Sequence, residues 1–304
     1  MSNPTSQTSD WRRNPEHRRR RFRRHRRRAF IRSVYSLPSL ATLGNALCGF
    51  ASIYIAGLVA SRDWVGAWFS DPNNRFIWAA YLIFLAMVFD GLDGRLARFT
   101  RHTTDFGGQL DSLADAISFG AAPAFLAIQL FKTQTSTAEW DLPVFITRLI
   151  WAIGALYVSC ALIRLARFNV SNQHGEQHHF SFFGLPSPGA AGAVAALVLL
   201  HESISLADQP VLKRIVLWMI PVVVLATGLL MVSMIRYAHV VNRYLRGKKS
   251  VPMVLVVLAV VLLFIISPTI TLAVAVLVYA FSGLFGYLYL KVRRKTGFSP
   301  APPP

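Results

Sequence analysis

The sequence predicts an all-α integral membrane protein, a polytopic bundle of about eight transmembrane helices. Hydrophobic residues make up 54% of the 304 positions, and the mean hydropathy is +0.43. Both values are higher than those of ordinary soluble domains. A third observation supports the same class, because long apolar segments alternate with short polar ones along most of the chain.

The apolar segments give the predicted helices in chain order. A transmembrane helix needs about 20 predominantly apolar residues. Eight segments approach that length: 36–60, 76–97, 108–131, 143–166, 185–202, 214–235, 251–266 and 269–290. Only Ser267 and Pro268 separate the last two, so these segments form either a hairpin or one long kinked helix.

Lys and Arg are distributed unevenly between the predicted connections, and cytoplasmic connections usually hold the excess. With the N-terminus inside, the cytoplasmic set contains Arg95, Arg98, Arg101, Arg164, Arg167, Arg236, Arg243, Arg246, Lys248, Lys249, Lys291, Arg293, Arg294 and Lys295. The opposite set has far fewer. We therefore expect both termini to face the cytoplasm, in a bacterial inner membrane.

Much of the net charge of +18 comes from a dense arginine block at the start of the chain. We expect this block to fix the orientation and to contact anionic lipid head groups. No aromatic platform or folded basic domain accompanies it, so no nucleic-acid partner is expected.

Four carboxylates lie where two apolar segments meet. Asp90 and Asp93 are three residues apart near the end of the second predicted span, and Asp111 and Asp115 are four apart at the start of the third. Each pair therefore shares one face of its helix. A helical hairpin brings the two faces together, and four acids so arranged favour one or two Mg²⁺ or Mn²⁺ ions, which prefer oxygen ligands and share them with phosphates. Both the acids and a soluble substrate would then meet at the cytoplasmic boundary.

Other residues near the acids suit a phosphorylated ligand. Glycines beside the acids leave room for a bulky group, Arg98 supplies a positive charge and Thr104 a hydroxyl. Asn45 in the first span either reaches a nucleotide or bonds across helices.

The spacing D-x2-D-G-x2-A-R-x8-G-x3-D-x3-D runs from Asp90 to Asp115. It resembles the signature of the CDP-alcohol phosphotransferase family, whose members are membrane enzymes that displace CMP from a CDP-linked lipid or alcohol with divalent metal. The resemblance implies a six-helix core followed here by two further helices. It also implies that the metal ligands are Asp90, Asp93, Asp111 and Asp115, the last also as general base, and that the CDP moiety contacts Gly94, Ala97, Arg98, Thr104 and Gly107. Asn45 is a further candidate contact of CDP-diacylglycerol.

The sequences around the motif are similar to the phosphatidylserine synthase subfamily, notably QLDSLADAISFGAAPA at 109–124, LARFNV at 165–170 and FFGLPSPGAAG at 182–192. CDP-diacylglycerol and L-serine are the substrates implied. Serine contacts are expected from Ser118, and from Arg167 and Asn169 in the connection after the fourth span.

Two alternatives stay open. Within the family, the acceptor could be glycerol-3-phosphate, inositol phosphate or choline, although a phosphorylated acceptor would need a further basic cluster. In a different class, the acids could line a cation pathway in a transporter, which would be expected to show repeated halves. A homodimer is also left open.

The predicted organisation has four parts. Residues 1–32 form the Arg-rich cytoplasmic segment, 33–236 the CDP-alcohol phosphotransferase domain, 237–290 the additional helices, and 291–304 a cytoplasmic tail.

Overall fold

The computed structural model describes residues 40–58, 74–100, 105–137, 143–173, 184–205, 208–235 and 262–295. Within these ranges nearly every residue is helical and no β-strand occurs, which confirms the predicted all-α class. The predicted segment 1–32, most of the span 251–266 and residues 296–304 of the tail lie outside the described ranges.

The described helices follow one another in chain order. They are α1 (Leu40–Gly57), α2 (Asn74–Thr100), α3 (Asp105–Asp115), a π-helix (Ala116–Ala121), α4 (Ala122–Thr137), α5 (Val144–Gln173), α6 (Ser187–Ser203), α7 (Pro210–Val232) and α8 (Pro268–Lys295).

Five helical segments are long and apolar enough to cross a membrane, namely α1, α2, the run Phe106–Ser136, α5 and α7. The chain is therefore an integral membrane protein, as predicted. Helix α6 has 17 residues, and the apolar part of α8 covers Pro268–Gly283. The total of eight spans stays a prediction.

Two predicted boundaries differ from the structure. Helix α5 continues to Gln173, so placing Arg167 and Asn169 in a connection was wrong. Hydropathy marks where a helix leaves the apolar layer, but the hydrogen-bond ladder can continue beyond that point. At the other boundary, Ser267 N donates to Leu263 O and Thr271 N donates to Ser267 O. These two bonds favour the kinked helix over the hairpin, with the break at Pro268, which has no N–H to donate.

Helix α6 lies at the centre of the bundle. It packs against α2, α4, the π-helix, α7 and α8, and most of its residues are buried. Its sequence explains this position, because the small residues of GAAGAVAA let neighbouring backbones approach closely. Gly192, for example, lies against Met87 of α2 and Val276 of α8.

One end of the bundle holds the end of α2 and the start of α3, and we call it the aspartate end. Hydrogen bonds bring three more helix ends there. Asn45 of α1 contacts α3, Asn169 of α5 accepts from Ser112 of α3, and Ser187 at the start of α6 contacts Arg164 of α5.

Candidate active site

Three of the four predicted aspartates converge at the aspartate end. Asp90 and Asp93 lie in α2 and Asp111 lies in α3. One carboxylate oxygen from each can be chosen so that all three atoms lie within 4.8 Å of one another. We call these residues the three-acid cluster. The spacing in sequence therefore predicted the meeting of two helix faces correctly.

The cluster fits a divalent cation on the chemistry of its oxygens. Asp93 is only 5% exposed, and Asp93 Oδ2 and Asp111 Oδ1 are buried without a hydrogen-bond partner. A buried carboxylate oxygen without a partner is costly, and hard cations such as Mg²⁺ and Mn²⁺ take oxygen ligands of this kind. All three residues could supply such a ligand.

Asp115 is not one of the three acids whose oxygens lie within 4.8 Å of one another, and its carboxylate is held by α1. It is 9% exposed, and its Oδ1 accepts a hydrogen bond of 3.0 Å from Asn45 Nδ2. Thr42, one turn earlier on α1, hydrogen-bonds the Asp93 carboxylate. Of the two roles considered for Asn45, the structure shows the bond across helices.

A π-helix follows Asp115 immediately, at Ala116–Ala121. Its Ser118 is fully buried, and the Oγ lies 2.9 Å from the Asn45 carbonyl oxygen and 3.0 Å from that of Ala114. A Cβ placed on Gly49 would lie 2.6 Å from Ser118 Cα, so α1 touches the π-helix backbone. Single-turn π-helices are frequent at functional sites. This one fixes α1, and with it Asn45, against Asp115.

The glycines near the acids border open space. No described atom lies within 4 Å of a Cβ built on Gly91, Gly94 or Gly108. These positions therefore do not serve helix packing within the described ranges, and they leave room beside the three-acid cluster for a ligand.

The remaining predicted contacts are dispersed. Asn169 Oδ1 accepts a 2.9 Å hydrogen bond from Ser112 Oγ, Arg167 is exposed, and Gly107 is half-buried at the start of α3. Thr104 and the side chains of Ala97 and Arg98 lie outside the part of the chain that the structure describes.

Sequence reasoning missed Arg164. It was counted as one of the cytoplasmic arginines, yet its side chain is half-buried and interacts electrostatically with Asp115 and Asp90. The signal was present, because Arg164 falls inside the predicted span 143–166, and a charged residue within a span usually has a functional role.

The family can now be assigned. A model of the CDP-alcohol phosphatidyltransferase family matches residues 35–218, which include all four aspartates, Asn45 and Arg164. The chain belongs to the CDP-alcohol phosphatidyltransferase family. As a CDP-alcohol phosphatidyltransferase it is a transferase, and the family generally depends on divalent metal, in agreement with the three-acid cluster.

Several curated relatives of this CDP-alcohol phosphatidyltransferase have more specific names. A CDP-diacylglycerol–serine O-phosphatidyltransferase of Helicobacter pylori is 32% identical over 86% of the chain and 95% of the relative. A protein of the same name from Methanocaldococcus jannaschii is 32% identical over 70% and 79%. An archaetidylserine synthase of Methanothermobacter thermautotrophicus is 30% identical over 69% and 72%.

Proposed function

We propose that the protein transfers the phosphatidyl group of CDP-diacylglycerol to the hydroxyl of L-serine, giving phosphatidylserine and CMP. The observation that carries the proposal is the three-acid cluster beside Asp115, in a chain whose relatives named above act on serine. Family membership favours this transfer over the cation pathway. Family membership does not specify which acceptor alcohol the protein uses.

The division of labour among the aspartates follows from their surroundings. Asp90, Asp93 and Asp111 would hold one or two Mg²⁺ or Mn²⁺ ions, which when bound would neutralise the diphosphate and the departing CMP. Asp115 is outside the cluster and is held in place by Asn45. A carboxylate so placed suits proton transfer.

Asp115 acts as the general base in this proposal. The serine hydroxyl is a poor nucleophile while it carries its proton. Asp115 accepts that proton as the oxygen attacks the phosphorus bonded to diacylglycerol. A bond from the serine oxygen to phosphorus forms, the bond from phosphorus to the CMP oxygen breaks, and CMP leaves with the electron pair.

The nucleotide would lie over the open side of the aspartate end. Gly94 and Gly107 would border it, and Ala97, Arg98 and Thr104 would contact it. The aspartate end would face the cytoplasm of a bacterial inner membrane, because the Lys and Arg excess lies in the connections on that side. CMP and serine are water-soluble and could then exchange there. The Arg-rich segment would contact anionic lipid, and a homodimer remains open.

An acceptor screen tests the proposal. Purified protein in CDP-diacylglycerol proteoliposomes with Mg²⁺ or Mn²⁺ is given serine, glycerol-3-phosphate, inositol phosphate or choline in parallel, and CMP release is followed. We expect release with serine alone, and its loss when a chelator removes the metal. Release with another acceptor and none with serine would refute the assignment.

A further inference from the structure

Arg164 occupies the side of the site opposite α1. It lies within α5, and one of its terminal nitrogens donates a hydrogen bond to Ser187 Oγ at the start of α6. Asp115 makes the largest electrostatic contribution at its guanidinium, followed by Tyr279 and Asp90. Arg164 is therefore associated with Asp115 and, more weakly, with Asp90 of the three-acid cluster.

Two hydrogen bonds between antiparallel helical segments show how deep Arg164 and Asp115 lie in the bundle. Ser112 of α3 bonds Asn169 of α5 at 2.9 Å, and Tyr157 Oη of α5 donates to the Phe119 carbonyl oxygen at 3.1 Å. Asp115 lies between Ser112 and Phe119, and Arg164 lies between Asn169 and Tyr157. The bracketing bonds place Asp115 and Arg164 at the same depth in the bundle.

The guanidinium attracts the carboxylates without touching them. In the described part of the chain an ion pair with an N···O distance within 4.0 Å joins His201 to Glu202, and none joins Arg164 to Asp115 or Asp90. Arg164 is thus separated from both Asp115 and Asp90 by more than that distance. A cation that faces a general base across such a gap can receive an anionic group of the molecule that the base deprotonates.

We propose that Arg164 binds the carboxylate of the acceptor and makes the enzyme selective for a hydroxy amino acid with a free carboxylate. The inference rests on the proposed function, because it assigns the residue that binds the serine molecule that Asp115 deprotonates. The hydroxyl and carboxylate of serine are separated by only two carbon atoms. When the hydroxyl oxygen lies at Asp115, the carboxylate therefore falls within reach of a guanidinium at the same depth, and Arg binds carboxylates through paired N–H groups.

Helices α6 and α8 hold the guanidinium in place. Gly184, just before α6, has φ +84°, and a Cβ there would lie 2.3 Å from the Met231 carbonyl oxygen. Only glycine fits this turn, and the turn sets Ser187 against Arg164. From α8, Tyr279 interacts with Arg164 and packs its ring on Gly189, where a Cβ would lie 2.9 Å from Cε1. The added C-terminal helix thereby supports acceptor selection.

The test compares L-serine with L-serinamide, which keeps the hydroxyl and the amine but lacks the negative charge. CMP release by the full-length protein in CDP-diacylglycerol proteoliposomes gives kcat and KM for each acceptor. Wild type should prefer serine roughly 10- to 100-fold in kcat/KM, the range expected of a charged hydrogen-bonded pair. In Arg164→Gln that preference should fall to about one, through a higher KM for serine, with the KM for CDP-diacylglycerol unchanged.

Two variants control for charge and for folding. Arg148→Gln removes an exposed arginine at the other end of α5 and should keep the full preference. Arg164→Lys keeps the positive charge but lacks the planar guanidinium. This variant should lose part of the preference for serine. Arg164→Lys also supplies a result if the glutamine variant fails to accumulate in the membrane.

Three results would overturn the inference. The first is an unchanged preference for serine in both Arg164 variants. The second is an equal loss for serine and serinamide, which would mean that Arg164 contacts the diphosphate or positions Asp115. The third is loss of the preference in Arg167→Gln alone. Failure of the proposed function would look different, since wild type would then release no CMP with serine.

Discussion

Asn45 is the residue that orients the proposed base. Its side chain is fully buried, its Nδ2 donates to Asp115 Oδ1, and its carbonyl oxygen accepts from Ser118. Asp115 must point one oxygen toward the acceptor hydroxyl, and the bond to Asn45 fixes the other oxygen. A base that loses its orienting partner spends a smaller fraction of the time in the productive geometry.

We therefore predict that Asn45→Ala lowers kcat for CMP release by roughly 10-fold or more, a part of the 10²- to 10⁴-fold that general-base catalysis contributes. The KM for CDP-diacylglycerol should change little. Ser52→Ala is the matched control, because Ser52 also sits on α1 and makes a buried 2.8 Å bond to the Ala79 carbonyl oxygen far from the site. A similar kcat in both variants would count against the role of Asn45.

At this scale the sequence predicted the acids, but it did not identify Asn45 or Arg164 as the partners of Asp115. Spacing along one helix is enough to place Asp90 with Asp93 and Asp111 with Asp115 on shared faces. The partners Asn45 and Arg164 come from helices distant in sequence. Which of their residues meet Asp115 depends on how the helices pack, and a single sequence does not specify that contact.

At the scale of elements, α1 and the π-helix approach each other closely beside the site. A Cβ on Gly49 would lie 2.6 Å from both the Cα and the Oγ of Ser118, so the two backbones cannot stay in place around a larger residue. By contrast, a Cβ on Gly57 would meet only the Phe125 ring, at 3.4 Å. Gly49 and Gly57 thus differ in what surrounds them, although both lie on α1.

The expected consequence is that Gly49→Ala destabilises the protein by about 1–3 kcal/mol, the usual cost of overpacking, and lowers kcat by moving Asn45 away from Asp115. Gly57→Ala should be close to wild type in both respects. Thermal unfolding in detergent and CMP release would be measured for the pair. Equal behaviour of the two variants would show that the contact does not position the site.

The elements also show what hydropathy can predict. Within the described ranges, the cores of the predicted spans coincide with helices, because apolar runs of this length must be helical in a bilayer. The predicted ends were less accurate. Helix α5 continues through Arg167 and Asn169, past the predicted end at residue 166. The π-helix lies within the predicted span 108–131, and its composition does not distinguish it from an α-helix.

At the scale of the whole molecule, the end opposite the aspartates is held by a buried polar cluster. Arg75 of α2 donates to the Leu58 carbonyl oxygen and, at 3.0 Å, to Thr133 Oγ1 of α4. Glu202 of α6 attracts Arg75 and pairs with His201 Nδ1 at 2.8 Å. Four helices are thereby joined at this end, while the three-acid cluster lies at the other.

Because a buried charge that loses its partner is costly, Arg75→Met and Glu202→Gln should each destabilise the bundle by about 3 kcal/mol. The double variant should be destabilised by less than the sum of the two single changes. Denaturation midpoints in detergent would measure this coupling. Protein that remains folded should release CMP at the wild-type rate, and additive effects would contradict a shared cluster.

The organisation of the whole chain was predictable in class more than in detail. Composition and charge asymmetry predicted a polytopic helical membrane protein, and the aspartate motif predicted the family. The arrangement around α6 was not predicted, because its small residues indicate close packing without naming the neighbours.

The central claim is that Asp115 accepts the proton of the acceptor hydroxyl while the three-acid cluster holds the metal. The most direct measurement is CMP release by Asp115→Asn with labelled serine, alongside binding of CDP-diacylglycerol to the same variant. Asparagine keeps the size of the side chain and an oxygen for Asn45 but is not a base. The account predicts retained lipid-nucleotide binding and at least about a 10²-fold loss of transfer. Turnover at the wild-type rate would contradict it.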